Sequence, residues 1–385
     1  MEGLTVDELE FLRTVDRFAD RELKSQAAED DVEQRLDVDL IVRLGELGVY
    51  GMRFPEAYGG SGSSMLAATA VLETLAKANT GFAASIIVHL AVGSVLLHVA
   101  TEEQRAQYLT EVVSGTALCG MAITEPDAGS DVRSMRTRAR RDGNEWVIDG
   151  EKIYITNGAS AAFLIVAALV ENTDRMAWFI VERDDPGFEV AGKLDKLGVR
   201  ASETVVLRFD GCRVPAGRLL GDPESDGFLV AKEAMNQDRL LGATVAVGLA
   251  ARALDEAVAY TATRVQFGRP VAEFQSVRHT IADLATQIEA GRSLVREAAR
   301  LVDAGLPYAT QAAMAKLFAG RLVREVCAEA LELHGGAGFM NESTISRLYR
   351  DAPVMAIAGG TSNMQRELIG RAITAAARAT ATMSG

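Results

Sequence analysis

The stretch Phe163-Leu164-Ile165-Val166-Ala167-Ala168 decides the fold class of this chain, together with three runs like it. The others are Trp146-Val147-Ile148-Asp149-Gly150-Glu151, Met176-Ala177-Trp178-Phe179-Ile180-Val181 and Thr204-Val205-Val206-Leu207-Arg208-Phe209. All are rich in β-branched and aromatic residues and are separated by Asp-Gly, Asn-Gly and Pro-Gly turn signals, which is typical of strands. No long helical pattern lies between them. This favours an antiparallel sheet or small barrel over a doubly wound parallel sheet.

Helical patterns occupy the chain on both sides of these strands. Near the start, Thr5 and Glu8 have the spacing of a capping box. Beyond Asp226, long amphipathic patterns with short loops predict a helix bundle. The sequence therefore predicts an α+β protein with three domains. They are an N-terminal helical domain (1–120), a middle antiparallel β domain (121–225) and a C-terminal four-helix-bundle domain (226–385).

The composition argues against several classes of protein. With 385 residues, 48% apolar and 24% charged, the chain resembles an ordinary soluble globular protein with a large core. No uninterrupted run of eighteen apolar residues occurs, and the acidic start lacks the basic region of a signal peptide, so no membrane span is expected. Its net charge of −13 disfavours nucleic acid as a partner. Three scattered cysteines and four histidines without metal-ligand spacing predict reduced thiols, a cytoplasmic location and no metal site.

A loop rich in hydroxyl groups follows an apolar segment at Thr124-Glu125-Pro126-Asp127-Ala128-Gly129-Ser130-Asp131. Such a loop can present N–H and hydroxyl groups to a polar heterocycle, and Gly129 permits a close approach. About thirty residues later the chain reads Tyr154-Ile155-Thr156-Asn157-Gly158. Composition alone also explains both segments as hairpin turns.

Two further segments have the chemistry of a dinucleotide site. In Arg264-Val265-Gln266-Phe267-Gly268-Arg269-Pro270, followed by Phe274-Gln275, a guanidinium can pair with pyrophosphate and an aromatic face can pack on adenine. In Leu333-His334-Gly335-Gly336 the two glycines allow close backbone approach to a ligand. Taken singly, the arginine is also explained as a solvated charge or helix cap, and His334 as a packing residue.

These segments make the chain resemble the acyl-CoA dehydrogenase family over nearly its whole length. Ile123 also carries the resemblance, as does the stretch Met355-Ala356-Ile357-Ala358-Gly359-Gly360-Thr361-Ser362-Asn363. The resemblance implies an FAD cofactor and an acyl thioester substrate, carried by CoA or by an acyl-carrier protein. It implies an electron-transfer flavoprotein as electron acceptor. It also implies a homo-oligomer, a dimer or tetramer, because in the family the arginine-phenylalanine-glycine segment reaches the FAD of a neighbouring subunit.

The resemblance assigns the binding residues. Those expected to hold FAD are Ile123, Thr124, Ser130, Tyr154, Thr156, Arg264, Phe267, Gln275, Gly335, Gly336, Thr361 and Asn363. Those expected near the acyl thioester are Ser130, Arg239 and Gly360. The chain departs from the family at Glu332, where the family has a glutamine that helps to bind FAD. A carboxylate there would be unfavourable beside a pyrophosphate.

The chain also departs from the family at Gly359, where many members carry the catalytic glutamate. Desaturation of a thioester needs a carboxylate that removes the α-proton. The isovaleryl and long-chain branches place this carboxylate on another helix, just before an arginine. The matching residue here is Asp238, before Arg239, and it is the predicted base, with the Gly359 N–H polarising the thioester carbonyl. Asp238 is also explained as a helix-surface carboxylate paired with Arg239 or Lys232.

Three functions follow from these features. The first is an FAD-dependent dehydrogenase that forms an α,β-unsaturated thioester, with Gly359 leaving room for a branched or bulky acyl group. The second keeps the fold and the flavin for another reaction, as a monooxygenase or an enoyl-thioester reductase. The third is a catalytically idle flavin-binding protein.

Overall fold

The strand-rich centre of the chain forms one mixed sheet. A computed structural model describes residues 3–222 and 224–383. In these ranges the sheet contains eight strands in the order β6-β7-β3-β2-β4-β5-β8, with β1 also paired to β4. The strands are β1 (Cys119–Ala122), β2 (Arg138–Asp142), β3 (Glu145–Thr156), β4 (Phe163–Val170), β5 (Met176–Glu182), β6 (Phe188–Lys193), β7 (Thr204–Pro215) and β8 (Leu219–Leu220).

The predicted α+β class is confirmed, and most strand pairs of the middle domain are antiparallel as predicted, but β4 departs from this pattern. This strand pairs in parallel with β1, where Cys119 lies opposite Phe163, and with β2, where Arg138 lies opposite Leu169. Parallel neighbours need a crossover connection, and the β2–β3 hairpin forms part of the connection between β1 and β4. The residue pattern of a single strand carries no information about such a connection.

The continuous apolar character of β4 arises because both of its faces are covered. Phe163, Ile165 and Ala167 join the main core, which includes the N-terminal helices. Leu164 and Val166, which point to the opposite face, join a second core within the β region. β5 is divided between the two cores in the same way. The middle sheet is therefore packed against helices on one side.

Helices form most of the remaining described chain. The N-terminal ones are α1 (Val6–Phe18), α2 (Lys24–Glu33), α3 (Val38–Glu46), α4 (Met65–Ala78), α5 (Thr80–Val99), α6 (Glu102–Gln104) and α7 (Thr110–Ser114). The C-terminal ones are α8 (Phe228–Thr263), α9 (Gln275–Asp303), α10 (Ala309–His334), α11 (Thr344–Asp351) and α12 (Ser362–Met383). A short hairpin of β9 (Val265–Gln266) and β10 (Arg269–Pro270) connects α8 to α9. The Thr5 and Glu8 side chains form the predicted capping box of α1.

The 36-residue helix α8 links the N-terminal and C-terminal helices. It packs against α4 and α5 on one side and against α9 and α10 on the other, and α10 also packs against α12. Of the helices in the described ranges, α5 is the one that is long and apolar enough to cross a membrane by length and composition. Because 72% of its most apolar 18-residue window is buried inside the protein, it has the surroundings of a core helix. The three cysteines are unpaired and buried.

The loop before β7 fixes the middle sheet to the C-terminal helices. Val199 N donates a hydrogen bond to Asp351 Oδ1 (2.5 Å) at the end of α11. Burial raises the pKa of Asp351 to about 6. Gly198 approaches the same turn so closely that a Cβ there would overlap the carbonyl group of Arg350. This contact between two backbones leaves space only for glycine.

We expect Gly198→Ala to lower the thermal unfolding midpoint of the protein. The backbone of Gly198 is not left-handed, so the cost comes from the overlap with Arg350, and overpacking of this kind costs about 1–3 kcal/mol. Gly192→Ala is the matched control, because a Cβ at Gly192 has no neighbour within 4 Å. Equal midpoints for the two variants, measured by scanning calorimetry, would contradict the predicted overlap.

Candidate active site

The predicted flavin loop lies directly against β3. It leaves the end of β1, and Ile153 N donates to Thr124 O (2.9 Å). Ile123 and Thr124 are partly buried, whereas Ser130 is exposed. The structure therefore brings Ile123 and Thr124 together with the segment that contains Tyr154 and Thr156.

A buried ion pair, which sequence reasoning missed, holds this loop from inside. The Lys152 Nζ lies 2.7 Å from Glu125 Oε1, and the two side chains are 0% and 4% exposed. Lys152 also donates to Ile123 O (2.9 Å), and Glu125 accepts from the backbone N–H groups of Arg136 and Thr137. Burial lowers the pKa of Lys152 to about 8. Burial opposes ionisation of Glu125, but Lys152 and the backbone donors lower its pKa overall.

Two predicted cofactor residues combine exposure with an unusual backbone conformation. Tyr154 is 64% exposed with φ 61°, and Phe267 is 94% exposed with φ 51°. Positive φ is uncommon for bulky residues, and such conformations cluster at functional sites. Added Cβ atoms at Gly129, Gly335 and Gly336 would meet nothing within 4 Å, so these backbones face open space. Exposed aromatic rings and open glycine backbones fit the binding of a large planar cofactor.

Three predicted cofactor residues lie outside the flavin loop, around the connection between α8 and α9. Arg264, Phe267 and Gln275 are exposed at the turn that joins α8 to α9, and the turn packs on those two helices. Within the described ranges, no hydrogen bond or ion pair connects them to Thr124 or Tyr154.

His334 has the packing role that remained open from the sequence. It is buried, its ring stacks on Tyr260 at 4.5 Å between centroids, and its Nδ1 lies 2.6 Å from Ala330 O. The Glu332 side chain is exposed. Gly335, which follows His334, has φ 59° and ends α10.

Asp238 and Gly359 lie next to each other in the folded protein, although 121 positions separate them in the sequence. A Cβ on Gly359 would overlap Asp238 Oδ2, and it would lie 3.6 Å from Cε of Lys316. Asp238 therefore fills the space in which a side chain at position 359 would begin. Among the described residues, Asp238 forms no ion pair with Arg239 or Lys232, in contrast to the surface-pair explanation.

The electrostatics around Asp238 combine burial with two cations. Burial raises the pKa of Asp238 above its ordinary value, and Lys316 and Arg239 only partly offset this increase. Arg239 is itself buried, and its Nη1 donates to Asn236 Oδ1 (2.7 Å). A carboxylate with a raised pKa is a stronger base than one in water.

The backbone around Gly359 offers hydrogen-bond donors. Gly359 and Gly360 have φ 67° and 93°, in the left-handed region that favours glycine. Gln365, which sequence reasoning also missed, donates from Nε2 to the carbonyl oxygens of Gly360 (2.8 Å) and Gly359 (3.3 Å). The N–H groups of both glycines have no acceptor within the described part of the chain. Thr361 and Asn363 follow at the start of α12.

Two hollows lie between the helices of the protein. A small cavity of about 50 Å³ lies between α4, α5 and α8, lined mainly by apolar side chains and by Gln237 and Leu241. A larger groove of about 700 Å³ between α1, α4, α8 and α9 contains no predicted site residue and is lined by charges of both signs. Of the two, the smaller cavity is the one that belongs to the candidate site, because it adjoins the turn of α8 that carries Asp238. In residues 3–222 and 224–383 no group of metal-ligating side chains is found.

Family models match three consecutive parts of the chain. Residues 5–116 match the N-terminal domain, residues 120–212 the middle domain and residues 225–374 the C-terminal domain of acyl-CoA dehydrogenase. A probable acyl-CoA dehydrogenase, YngJ, from Bacillus subtilis is 39% identical over 96% of this chain and 98% of its own length. An acryloyl-CoA reductase (NADH) from Anaerotignum propionicum is 37% identical over 95% and 94%.

Solved structures have the same fold over almost the whole chain. Butyryl-CoA dehydrogenase from Megasphaera elsdenii has a TM-score of 0.94 and 35% identity, covering 97% of this chain and 100% of that one. A structure described as an electron transferring flavoprotein of Acidaminococcus fermentans has the same score and identity, with 97% and 99% coverage. A glutaryl-CoA dehydrogenase from Mycobacterium smegmatis in complex with FADH2 has a TM-score of 0.91 and 30% identity, with 97% and 95% coverage.

We expect Lys152→Met to weaken FAD binding and to destabilise the protein by about 3–5 kcal/mol, since it leaves the buried Glu125 carboxylate without its partner. Flavin fluorescence titration and urea unfolding measure the two effects. Lys24→Met is the matched control, because Lys24 pairs with Asp20 at the surface, where such a pair contributes little. The double variant Glu125→Gln with Lys152→Met should recover part of the lost stability.

Proposed function

The chain belongs to the acyl-CoA dehydrogenase family, and we propose that Asp238 is the base that removes the α-proton of its acyl thioester. The protein is an FAD-dependent oxidoreductase that acts on CH–CH bonds and forms an α,β-unsaturated thioester. FAD, when bound, supplies the acceptor for the hydride that leaves the β-carbon. The proton leaves the α-carbon for the Asp238 carboxylate, and the electron pair of the Cα–H bond becomes part of the new double bond.

One observation carries the proposal: the Asp238 carboxylate lies where the side chain of residue 359 would start. The resemblance places the usual glutamate at that position, so the two alternatives present a carboxylate from the same region by different routes. Asp is one carbon shorter than Glu, a difference of roughly 1.5 Å. Because Asp238 Oδ2 would overlap a Cβ at position 359, it is already beside the segment that carries the glutamate in other members.

Stabilisation of the enolate is assigned to the backbone. The N–H groups of Gly359 and Gly360 are free to donate to the thioester oxygen, on which negative charge develops as the α-proton leaves. Gln365 holds the carbonyl groups of Gly359 and Gly360, and the first of these carbonyls belongs to the peptide unit that carries the Gly360 N–H. Arg239 and Ser130 are the proposed contacts to the rest of the thioester.

The cofactor is assigned to residues from two copies of the chain. Ile123, Thr124, Ser130, Tyr154 and Thr156 would hold the flavin ring from one copy, with Thr361 and Asn363 beside it. Arg264, Phe267 and Gln275 would meet the FAD of a second copy, since they are exposed on the single chain. Gly335 and Gly336 provide an open backbone surface for the same cofactor. A homodimer or homotetramer follows from this assignment.

The substrate and the acceptor are proposed from the family and from the relatives. The acyl group is proposed to be short and branched or bulky. The carrier is CoA or an acyl-carrier protein, and the electron acceptor is an electron-transfer flavoprotein in the cytoplasm, as the similarity to an electron transferring flavoprotein structure supports.

A second candidate function is enoyl-thioester reduction, which the similarity to an acryloyl-CoA reductase favours. Anaerobic mixing with a panel of saturated CoA and carrier-protein thioesters tests the two candidates. Loss of flavin colour with a saturated thioester supports dehydrogenation. Colour loss only with NADH, followed by return of colour with an enoyl thioester, supports reduction.

We expect Asp238→Asn to slow α-proton exchange of butyryl-CoA by roughly 10²–10⁴, the usual contribution of one positioned base. Exchange with solvent deuterium, followed by mass spectrometry, measures this step separately from flavin reduction. Asp283→Asn is the matched control, because Asp283 is an exposed aspartate on α9. An Asp238→Asn enzyme with the exchange rate of the control would exclude Asp238 as the base.

We also expect an acid limb in the pH dependence of this exchange, with its midpoint above the ordinary aspartate value of about 3.9. Burial raises the pKa of Asp238, so the base takes up its proton, and activity is lost, at a higher pH than for an exposed aspartate. Rates between about pH 4 and pH 9 would show this limb in the wild type. A limb that remains unchanged in Asp238→Glu would point to another group.

A further inference from the structure

A second charged side chain, Lys316 of α10, is buried beside the proposed base. It is 4% exposed, and its Nζ donates to Met355 O at 2.7 Å. Gly242 of α8 leaves room for the ammonium group, since a Cβ there would lie only 3.2 Å from Nζ. Lys316 thus lies between the helix that carries Asp238 and the segment that leads to Gly359.

The hydrogen bond to Met355 fixes the path of this segment. Met355 belongs to the short 3-10 turn Ala352–Ala356, and two residues after this turn come the left-handed Gly359 and Gly360. α10 also packs closely against this turn at Gly320, where a Cβ would lie 3.1 Å from Met355 O. The Met355 carbonyl group therefore lies against α10 at both Lys316 and Gly320.

The charges that face Asp238 are few. α8 itself contributes Arg239, and α10 contributes Lys316. The segment from Ala352 to Gly360 carries no ionisable side chain. In turn, Asp238 is the charge that acts on Lys316. The two groups are thus electrostatic partners across the α8–α10 contact, although no direct ion pair within 4.0 Å joins them among the described residues.

We infer that Lys316 is a positioning residue for proton abstraction, whose ammonium group keeps Asp238 ionised and whose hydrogen bond to Met355 places the Gly359 N–H. The inference rests on the proposed role of Asp238 as the base. A nearby cation has two effects, because it guarantees that the carboxylate is ready to accept a proton and also makes it a weaker base. Burial acts in the opposite direction, and the two together set the working range of Asp238.

The ammonium group is able to act in this way at neutral pH. Burial lowers the pKa of Lys316 to about 8, and Asp238 opposes that decrease. Lys316 therefore remains mostly a cation at neutral pH. A neutral side chain of similar length would keep the hydrogen bond to Met355 but not the charge.

Three variants separate the charge from the hydrogen bond. Lys316→Gln keeps a donor without the charge, Lys316→Met removes both, and Lys316→Arg keeps the charge. In FAD-loaded protein, the acid limb of α-proton exchange with butyryl-CoA should move up by about one to three pH units in the Gln and Met variants, the usual effect of one opposite charge at close range. In the Arg variant the midpoint of the acid limb should stay within about half a pH unit of the wild-type value, because the charge is retained. This tolerance is small beside the shift expected when the charge is lost.

A spectroscopic measurement avoids turnover altogether. Difference infrared spectra of the FAD-loaded protein, recorded between pH values without substrate, show the protonation of Asp238, and Asp238→Asn identifies its band. The midpoint of this band should shift upwards in Lys316→Gln by the same amount as the acid limb. Lys196→Gln is the matched control, since Lys196 is a largely buried lysine that also donates to a backbone carbonyl, that of Ser202 (2.7 Å), and it is not among the charges that act on Asp238.

The possible results distinguish the positioning role of Lys316 from the role of Asp238 as the base. If Asp238→Asn abolishes exchange while Lys316→Gln keeps the wild-type midpoint in both measurements, the positioning role is overturned and the base stands. If Asp238→Asn exchanges normally, the base and its positioning residue fail together. Unchanged FAD binding and thermal unfolding in Lys316→Gln show that a shifted midpoint is not a consequence of misfolding.

Discussion

The proposed chemistry of this protein depends on one constraint on space: Asp238 of α8 and a side chain at position 359 compete for the same place. The Asp238 carboxylate lies where a Cβ at residue 359 would be, so a larger residue at 359 would have to displace the carboxylate. The left-handed conformation of Gly359 adds a second reason for glycine. The N–H groups of Gly359 and Gly360 belong to the same segment and have no acceptor within the described part of the chain. The proposed proton acceptor and the proposed oxyanion site therefore share one region of the molecule.

The fold could be predicted to a large extent because its signals are local. β4 reads as a strand since both of its faces are buried, and the capping box of α1 involves residues three positions apart. The parallel pairing of β4 with β1 could not be predicted in this way, because it depends on the route of the chain between them. A strand's composition reports its burial, not the direction of its neighbour.

The candidate site shows the same division between local and distant information. The resemblance linked Asp238 and Gly359 as two positions for one carboxylate, and the coordinates add that the two residues are in contact distance of each other. Lys316 and Gln365 were missed because each acts on a residue of another segment, and the Glu125–Lys152 pair because its partners are on different strands and loops. A sequence signal did exist for Lys316: a single lysine within the run Ala312-Ala313-Met314-Ala315-Lys316-Leu317-Phe318-Ala319-Gly320 is unusual for a buried helix face.

Helix α8 carries Asp238 near its beginning and ends at Thr263, next to Arg264. At 1.5 Å per residue the two points are roughly 40 Å apart along one continuous rod. If the hairpin after α8 binds the cofactor of another copy, each α8 helix connects two reaction centres. It then carries the acid–base group of one centre and leads to the residues that bind the dinucleotide of the other. A rotation of α8, or a displacement along its axis, would then act on both centres at once.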